Sequence, residues 1–300
     1  MRTSAVNLIT EFAPAKLNLF LAVTGRREDG FHNLVSLAVT LDFGDTLRAR
    51  ASEGFALRCS DPAVPGGESN LVLRAARAFA AATGWEGGAA FELEKRIPTG
   101  AGLGGGSSDA VAALRALNRL AGPERALSKQ KLAAVAAALG SDCPLFLETG
   151  PVVMRGRGER IEPLPAAAAE RLRGRPVLVF KPGFEVSTPW AYGQLAAGAP
   201  SSYLPEEEAE AWLGAWRDDL RAPAEALRRN SFEAPVFRKF PALALCQESL
   251  RAEFALEAGL SGSGSACFAW WREGEDPAPV ARAVRAAWGE STFFVSARVA

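Results

Sequence analysis

The sequence predicts an α+β protein built on antiparallel sheets, and three observations carry that prediction. Residues 10–25 alternate strictly, with Leu17, Leu19, Leu21 and Val23 on one face and Lys16, Asn18 and Phe20 on the other, the pattern of a strand. Residues 70–83 and 128–139 instead repeat apolar side chains at helical spacing. Strands and helices follow one another without regular βαβ alternation, so a doubly wound parallel sheet is not indicated.

In chain order, Asp29-Gly30 is a turn signal after the first strand, and residues 33–41 read as its returning partner. A further strand, residues 46–59, is broken at Glu53-Gly54. The helix over residues 70–83 carries Leu71, Ala75, Ala78 and Phe79 at helical spacing. Residues 91–97 alternate apolar and charged side chains, and Pro98 ends that strand. A helix follows, starting at Ser107 or Ser108 and running to Leu120. Ser128 caps the next one, which stops at Gly140. Residues 150–164 suit a hairpin around Gly156-Arg157-Gly158. Composition turns linker-like over residues 163–176, which places a domain boundary near residue 160, with domains 1–160 and 161–300. Beyond it, residues 177–181, 267–272 and 292–299 read as strands, and 206–227, 241–258 and 277–288 as helices.

Bulk properties remove several function classes. The chain has 300 residues with 34 basic and 34 acidic side chains, a zero balance that argues against a nucleic-acid-binding surface. Its four cysteines are scattered with no Cys-x-x-Cys pair, which speaks against a zinc site or a disulfide framework and favours a reducing cytoplasm. Residues 1–7 lack an apolar signal core, and no apolar run reaches membrane-spanning length.

Chemistry concentrates in the run Pro98, Thr99, Gly100, Ala101, Gly102, Leu103, Gly104, Gly105, Gly106, Ser107 and Ser108. Glycines allow backbone N–H groups to turn inward with no side chain to hold a phosphate away. The helix that follows adds free N–H groups and the positive end of its dipole, so the run suits a polyphosphate. A flexible linker is the bland alternative, but linkers do not end in a hydroxyl pair leading into an amphipathic helix. A Walker loop is excluded because no Lys follows Gly106. The dinucleotide fingerprint fails because the preceding strand is half-polar and no acidic residue lies about 20 positions on.

The loop resembles the Pro-x3-Gly-Leu-Gly-x-Gly-Ser-Ser motif of the galactokinase, homoserine, mevalonate and phosphomevalonate (GHMP) kinase superfamily. Pro14-Ala15-Lys16-Leu17-Asn18-Leu19 is similar to its first motif, and Leu260-Ser261-Gly262-Ser263-Gly264-Ser265-Ala266-Cys267-Phe268 to its third. Asp29-Gly30-Phe31-His32, Glu68-Ser69-Asn70-Leu71, Gly140-Ser141-Asp142-Cys143-Pro144 and Pro182-Gly183 narrow the resemblance to the branch that handles a cytidyl-bearing alcohol. It implies a two-domain fold, ribosomal-S5-like in the N-terminal half and ferredoxin-like α/β in the C-terminal half. It further implies ATP-dependent phosphorylation of the 2-hydroxyl of 4-diphosphocytidyl-2-C-methyl-D-erythritol, in the non-mevalonate route to isoprenoids. The expected cofactors are ATP and Mg²⁺, and the expected partner is that small molecule, with a monomer or homodimer as the assembly.

Site residues follow from the same resemblance. Asp142 is the expected group that takes or orients the hydroxyl proton; local sequence alone would make it a helix cap before Pro144. Lys16 is the expected cation that pairs with it and polarises the hydroxyl; otherwise it is a solvated strand lysine. His32, the only histidine, lies on a turn where exposure is expected, and the resemblance gives it the cytosine edge. Phe31 and Tyr192 would stack on the ring, with Asn18 and Thr188 on polar groups of the substrate. Asn70 and Lys95 are expected to line the adenosine pocket, or else to be a helix cap and an exposed strand charge. Ser108 or Ser107 is the expected hydroxyl ligand of the metal. The competing readings are a sister kinase acting on mevalonate, homoserine or a sugar, and a catalytically silent ligand binder.

Overall fold

The computed structural model describes residues 8–300; residues 1–7, where no signal core is expected, lie outside the described residues. In chain order the elements are β1 (Ile9–Arg26), β2 (His32–Ser52), β3 (Ala56–Cys59), α1 (Leu71–Thr83), β4 (Gly88–Glu94), α2 (Gly105–Leu120) and α3 (Lys129–Leu139). A 3₁₀ turn at Cys143–Leu147 leads to β5 (Val152–Gly156), β6 (Arg160–Pro163), α4 (Ala166–Glu170), β7 (Pro176–Lys181), α5 (Thr188–Ala197) and α6 (Glu206–Asp218). The last elements are β8 (Arg229–Asn230), α7 (Glu233–Lys239), α8 (Pro241–Phe254), β9 (Ala258–Leu260), β10 (Cys267–Trp270), α9 (Ala278–Trp288) and β11 (Phe293–Arg298). The α+β class expected from the sequence is met.

The chain divides into two compact units that interleave in sequence. The first holds the described residues up to Ala15, with Phe43–Thr99 and Gly104–Glu148; the second holds Lys16–Asp42, Gly100–Leu103 and Thr149–Ala300. In the first unit β4 pairs antiparallel with the second half of β2, Thr46 opposite Glu94, and β3 pairs parallel with β4. Helices α1, α2 and α3 belong to this unit, and α2 is buried along most of its length, from Ser108 through Leu117. In the second unit β5 pairs antiparallel with the first half of β2, Leu34 opposite Gly156, and β6 closes the expected hairpin. A separate four-stranded sheet runs β11-β7-β10-β9, all antiparallel.

Several boundaries differ from the sequence expectation, each for a physical reason. The two strands expected at 33–41 and 46–52 are one, because β2 runs unbroken through Gly44. A Cβ at Gly44 would collide with the backbone of Ala13 and Pro14, so glycine here serves close approach to β1 rather than a turn. The helix expected over 206–227 ends at Asp218, where Asp219 turns extended, and Pro223 leads into a short 3₁₀ turn at Ala224–Leu227. The helix expected to reach residue 258 stops when Ala255 takes a left-handed conformation (φ 52°), which frees residues 258–260 to become β9.

Candidate functional site

In the first unit the chemistry gathers round the N-terminus of α2. Gly104 caps the helix in the left-handed region (φ 73°), and the first helical bond runs from the Ser108 N–H to the Gly104 carbonyl at 2.9 Å. The helix thus begins at Gly105, earlier than the expected start at Ser107 or Ser108, and no side chain caps it. A left-handed Gly104 reverses the chain, so the two hydroxyls lie inside the first turn rather than at its mouth. The N–H groups of that turn have no intrahelical acceptor and share the positive end of the dipole, which suits an anion.

Three neighbours surround this turn. Asn70 caps α1, its Oδ1 accepting from the Val72 N–H at 2.8 Å while its Nδ2 donates to the Pro65 carbonyl at 2.7 Å. A Cβ at Gly106 would lie 3.5 Å from Leu71, so the start of α1 abuts the start of α2. On another side, Cys143 is buried and receives a hydrogen bond from Ser107; burial first, and then the charge of Asp142, pushes its thiol up to about 11. Asp142 therefore sits one residue from a group that touches the first turn of α2. Asp142 stands at the N-cap position of the following 3₁₀ turn, where its side chain makes no capping hydrogen bond.

Lys95 forms the third neighbour and is no exposed strand charge: its side chain is 6% exposed. Its amine is ion-paired with Asp45 and, at 2.8 Å, with Asp109. The other oxygen of Asp45 accepts the backbone N–H groups of Arg96 (2.5 Å) and Ile97 (2.8 Å), just ahead of Pro98. Lys95 bridges that stem to Asp109 on the first turn of α2, clasping the glycine run at both ends. Burial works against the Lys95 charge, yet the carboxylates of Asp109 and Asp45 hold its pKa above the ordinary lysine value. Ser108 Oγ and Asp109 Oδ1 are both buried with no hydrogen-bond partner among the described residues. Unsatisfied buried oxygens at the first turn of a helix fit a cation ligand. No group of three or more His, Cys, Asp or Glu that could hold a metal occurs among the described residues.

The second unit holds Lys16 and the third motif. Lys16 is buried, and its amine donates to Asn18 Oδ1; Asn18 Nδ2 donates to Ser36 Oγ at 2.9 Å, and Ser36 donates to the Phe20 carbonyl at 2.7 Å. The solvated-lysine alternative is thereby set aside. A Cβ at Gly262 (φ 57°) would lie 3.3 Å from the Lys16 amine and 3.2 Å from the Gly102 carbonyl. Residues 100–103 and 261–266 dock backbone to backbone: Ala266 N–H donates to the Ala101 carbonyl at 3.0 Å and Ser261 Oγ to the Gly102 carbonyl at 3.2 Å. Thr188 and Ser263 share a hydroxyl–hydroxyl bond of 2.7 Å. Asn230, which sequence reasoning missed, donates to the carbonyls of Leu260 and Gly262, both at 2.8 Å, and shapes this turn.

His32 corrects an expectation, being buried rather than exposed on its turn. Its ring stacks on Tyr192 (centroids 4.8 Å, planes 28° apart) and meets Tyr203 edge-on at 5.8 Å, with Nε2 3.2 Å from the Tyr203 hydroxyl. Tyr192 in turn abuts Phe232 at right angles, 4.8 Å away. Burial, and then the charge of Arg26, lowers the His32 pKa, which favours the neutral ring. Phe31 remains exposed with the Arg157 guanidinium 4.7 Å above its ring. Asp45, Asp109, Asn230 and Tyr203 were not singled out from sequence; the only local signal was an acid inside an alternating strand at Asp45.

The family model for the GHMP kinases N terminal domain matches residues 70–150, and that for GHMP kinases C terminal matches residues 214–290. A protein of Ruegeria pomeroyi named 4-diphosphocytidyl-2-C-methyl-D-erythritol kinase is 40% identical, over 92% of this chain and 94% of its own. Proteins of the same name from Salinibacter ruber (37%; 88% of this chain, 90% of its own) and Solidesulfovibrio magneticus (43%; 87% of each) are similar over nearly as much. Among solved structures, a 4-(cytidine 5'-diphospho)-2C-methyl-D-erythritol kinase superposes with a TM-score of 0.76 at 37% identity, covering 97% of this chain and 100% of that one. The mevalonate kinase of Methanococcus jannaschii shares the fold at 14% identity, with a TM-score of 0.72 and full coverage of both chains.

Proposed function

The chain belongs to the GHMP kinase family, and from that premise we propose that it transfers the γ-phosphoryl group of ATP to the 2-hydroxyl of 4-diphosphocytidyl-2-C-methyl-D-erythritol. It is an ATP-dependent small-molecule kinase. The observation that carries the choice of acceptor is identity of 37–43%, over most of the chain, to kinases named for that substrate. Family models on either side of residue 160 support keeping the proposed halves, 1–160 for the nucleotide and 161–300 for the C-terminal domain. The setting we propose is the cytoplasm, with the cytidyl compound as the partner and a monomer or homodimer as the assembly; no helix of the described residues is long and apolar enough to cross a membrane.

The β- and γ-phosphates are assigned to the first turn of α2 and the glycine run, where N–H groups and the helix dipole meet negative charge without reorganising. Ser108, with Asp109 beside it, is the proposed holder of Mg²⁺, supported by their buried oxygens without partners. When bound, that cation would neutralise charge on the transferring phosphoryl group. Asp142 is the proposed group that receives the acceptor proton. The proton moves as the oxygen–phosphorus bond forms and the bond to ADP breaks. Lys16 supplies the positive charge that acidifies the hydroxyl, with Asn18 orienting its amine. His32, Phe31 and Tyr192 are assigned to the cytosine ring, Thr188 to polar groups of the same substrate, and Asn70 and Lys95 to the nucleotide side.

The test is ADP release with ATP and Mg²⁺, offering the cytidyl substrate beside mevalonate, homoserine and galactose. Turnover with the cytidyl compound alone is expected; turnover with another acceptor removes the cytosine assignment. Asp142→Asn and Lys16→Ala are each expected to lower kcat by about 10²–10⁴-fold in a protein that remains folded. A retained rate in either variant removes that residue's role.

A further inference from the structure

His32 is held on two sides. Tyr192 covers one face of the imidazole, and Tyr203 meets its edge with the hydroxyl 3.2 Å from Nε2. Tyr203 is itself fixed by its backbone: its N–H donates to the Pro200 carbonyl at 3.1 Å, and the next N–H, of Leu204, donates to the Val23 carbonyl of β1 at 3.1 Å. The hydroxyl therefore approaches one particular nitrogen of one particular ring. A neutral imidazole has one donor and one acceptor nitrogen, and whatever binds one of them decides which role the other takes. Burial, and then the charge of Arg26, disfavours the protonated ring, so that decision matters here; an imidazolium would donate from both nitrogens.

We propose that Tyr203 is a positioning residue that donates its hydroxyl proton to His32 Nε2, so that Nδ1 carries the ring proton and selects cytosine over uracil. The direction of the bond follows from the chemistry of the two groups. A phenolic oxygen shares its lone pair with the ring and accepts poorly, while its O–H donates well; an imidazole nitrogen without a proton is a strong acceptor. With Nε2 occupied as the acceptor, Nδ1–H is the donor that remains. Along the edge that base pairing uses, cytosine offers N3 as an acceptor, whereas O2 accepts in both bases. Uracil presents N3–H there, a donor facing a donor, so its binding would leave an unpaired group. The inference rests on the assignment of His32 to the base edge, and it adds the residue that sets what His32 can read.

His32 is the only histidine in the chain, so one ring contributes to a long-range ¹H–¹⁵N spectrum of the ¹⁵N-labelled protein. At pH 8 the wild-type protein is expected to show the Nδ1–H tautomer. Tyr203→Phe keeps the aromatic edge against His32 and removes only the hydroxyl; it is expected to shift the ring toward the Nε2–H form. A wild-type spectrum of the Nε2–H tautomer overturns the proposal without any variant having to fold. An unchanged tautomer in a folded Tyr203→Phe protein overturns it as well. In turnover, Tyr203→Phe is expected to raise KM for the cytidyl substrate about fivefold to tenfold, the worth of one hydrogen bond, with kcat changed less than about twofold. Its preference for the cytidyl substrate over the 4-diphosphouridyl analogue is expected to fall about tenfold; an unchanged preference counts against the proposal. Absence of wild-type turnover with the cytidyl substrate would instead defeat the parent assignment, while the wild-type spectrum still decides the tautomer.

Discussion

The base of the glycine run and the seat of His32 both bury a titratable group, and they meet the same penalty in opposite ways. Lys95 keeps its charge because two carboxylates surround it, and one of them, Asp45, spends its remaining oxygen on the Arg96 and Ile97 N–H groups. At His32 the charged form is instead disfavoured: burial comes first and the nearby cationic Arg26 second, while aromatic rings pack against the imidazole and a phenol meets one nitrogen. The difference suits the role we propose for each region. A loop that must hold its backbone N–H groups in place gains from ionic bonds that fix the strand before it to the helix after it. A residue that must read hydrogen bonds gains from a neutral ring with one donor and one acceptor.

The sharpest way to break that comparison is to remove the cation from the first region. Lys95→Met leaves Asp45 and Asp109 buried without their common partner, and denaturant unfolding is expected to show a loss of about 3–5 kcal/mol. Adding Asp109→Asn is expected to restore part of the loss, since one buried charge goes with it. A Lys95→Met protein as stable as the wild type would mean the clasp contributes nothing. A smaller effect is expected at the edge of the same region. Asn70→Ala removes the cap of α1, which costs about 1 kcal/mol in the same measurement, and KM for ATP should rise more than kcat falls.

The smallest effect belongs to the second region and depends on pH. The folded pKa of His32 lies below its ordinary value of 6.5, so the unfolded chain binds the proton more readily. The His32 contribution to stability is therefore fully present above pH 6.5 and is lost as pH falls through the depressed folded value. The Tm gap between wild type and His32→Gln should be constant above pH 6.5 and narrow as the pH falls below it, and a gap unchanged across that range would contradict the neutral seat.

Much of this was legible in the residues. The alternation of β1, with Leu17 and Leu19 against Lys16 and Asn18, needs only the period of a strand, and the helices starting after Asn70 and Ser128 announce themselves by caps that the structure retains. The glycine run and its following helix were readable because local backbone freedom and helix polarity are properties of adjacent residues. The helix start was misplaced at Ser107 or Ser108 because the decision falls to the conformation of Gly104, and serines inside a first turn look like caps in a linear text.

By itself, then, the sequence determined the class of fold, the glycine run ahead of its helix and the set of residues from which a site could be assembled, since each depends on periodicity or on neighbours a few positions apart. Only the tertiary structure decided that Lys95 lies between Asp45 and Asp109, that Gly44 continues a strand, that Asn230 shapes the 260–262 turn, and that Tyr203 reaches His32. These partners stand between 14 and 171 positions apart in the pairs of charge and ring that define the two regions. Burial and hydrogen bonding at such separations are set by the packing of whole elements, so a short stretch of sequence carries no local trace of them.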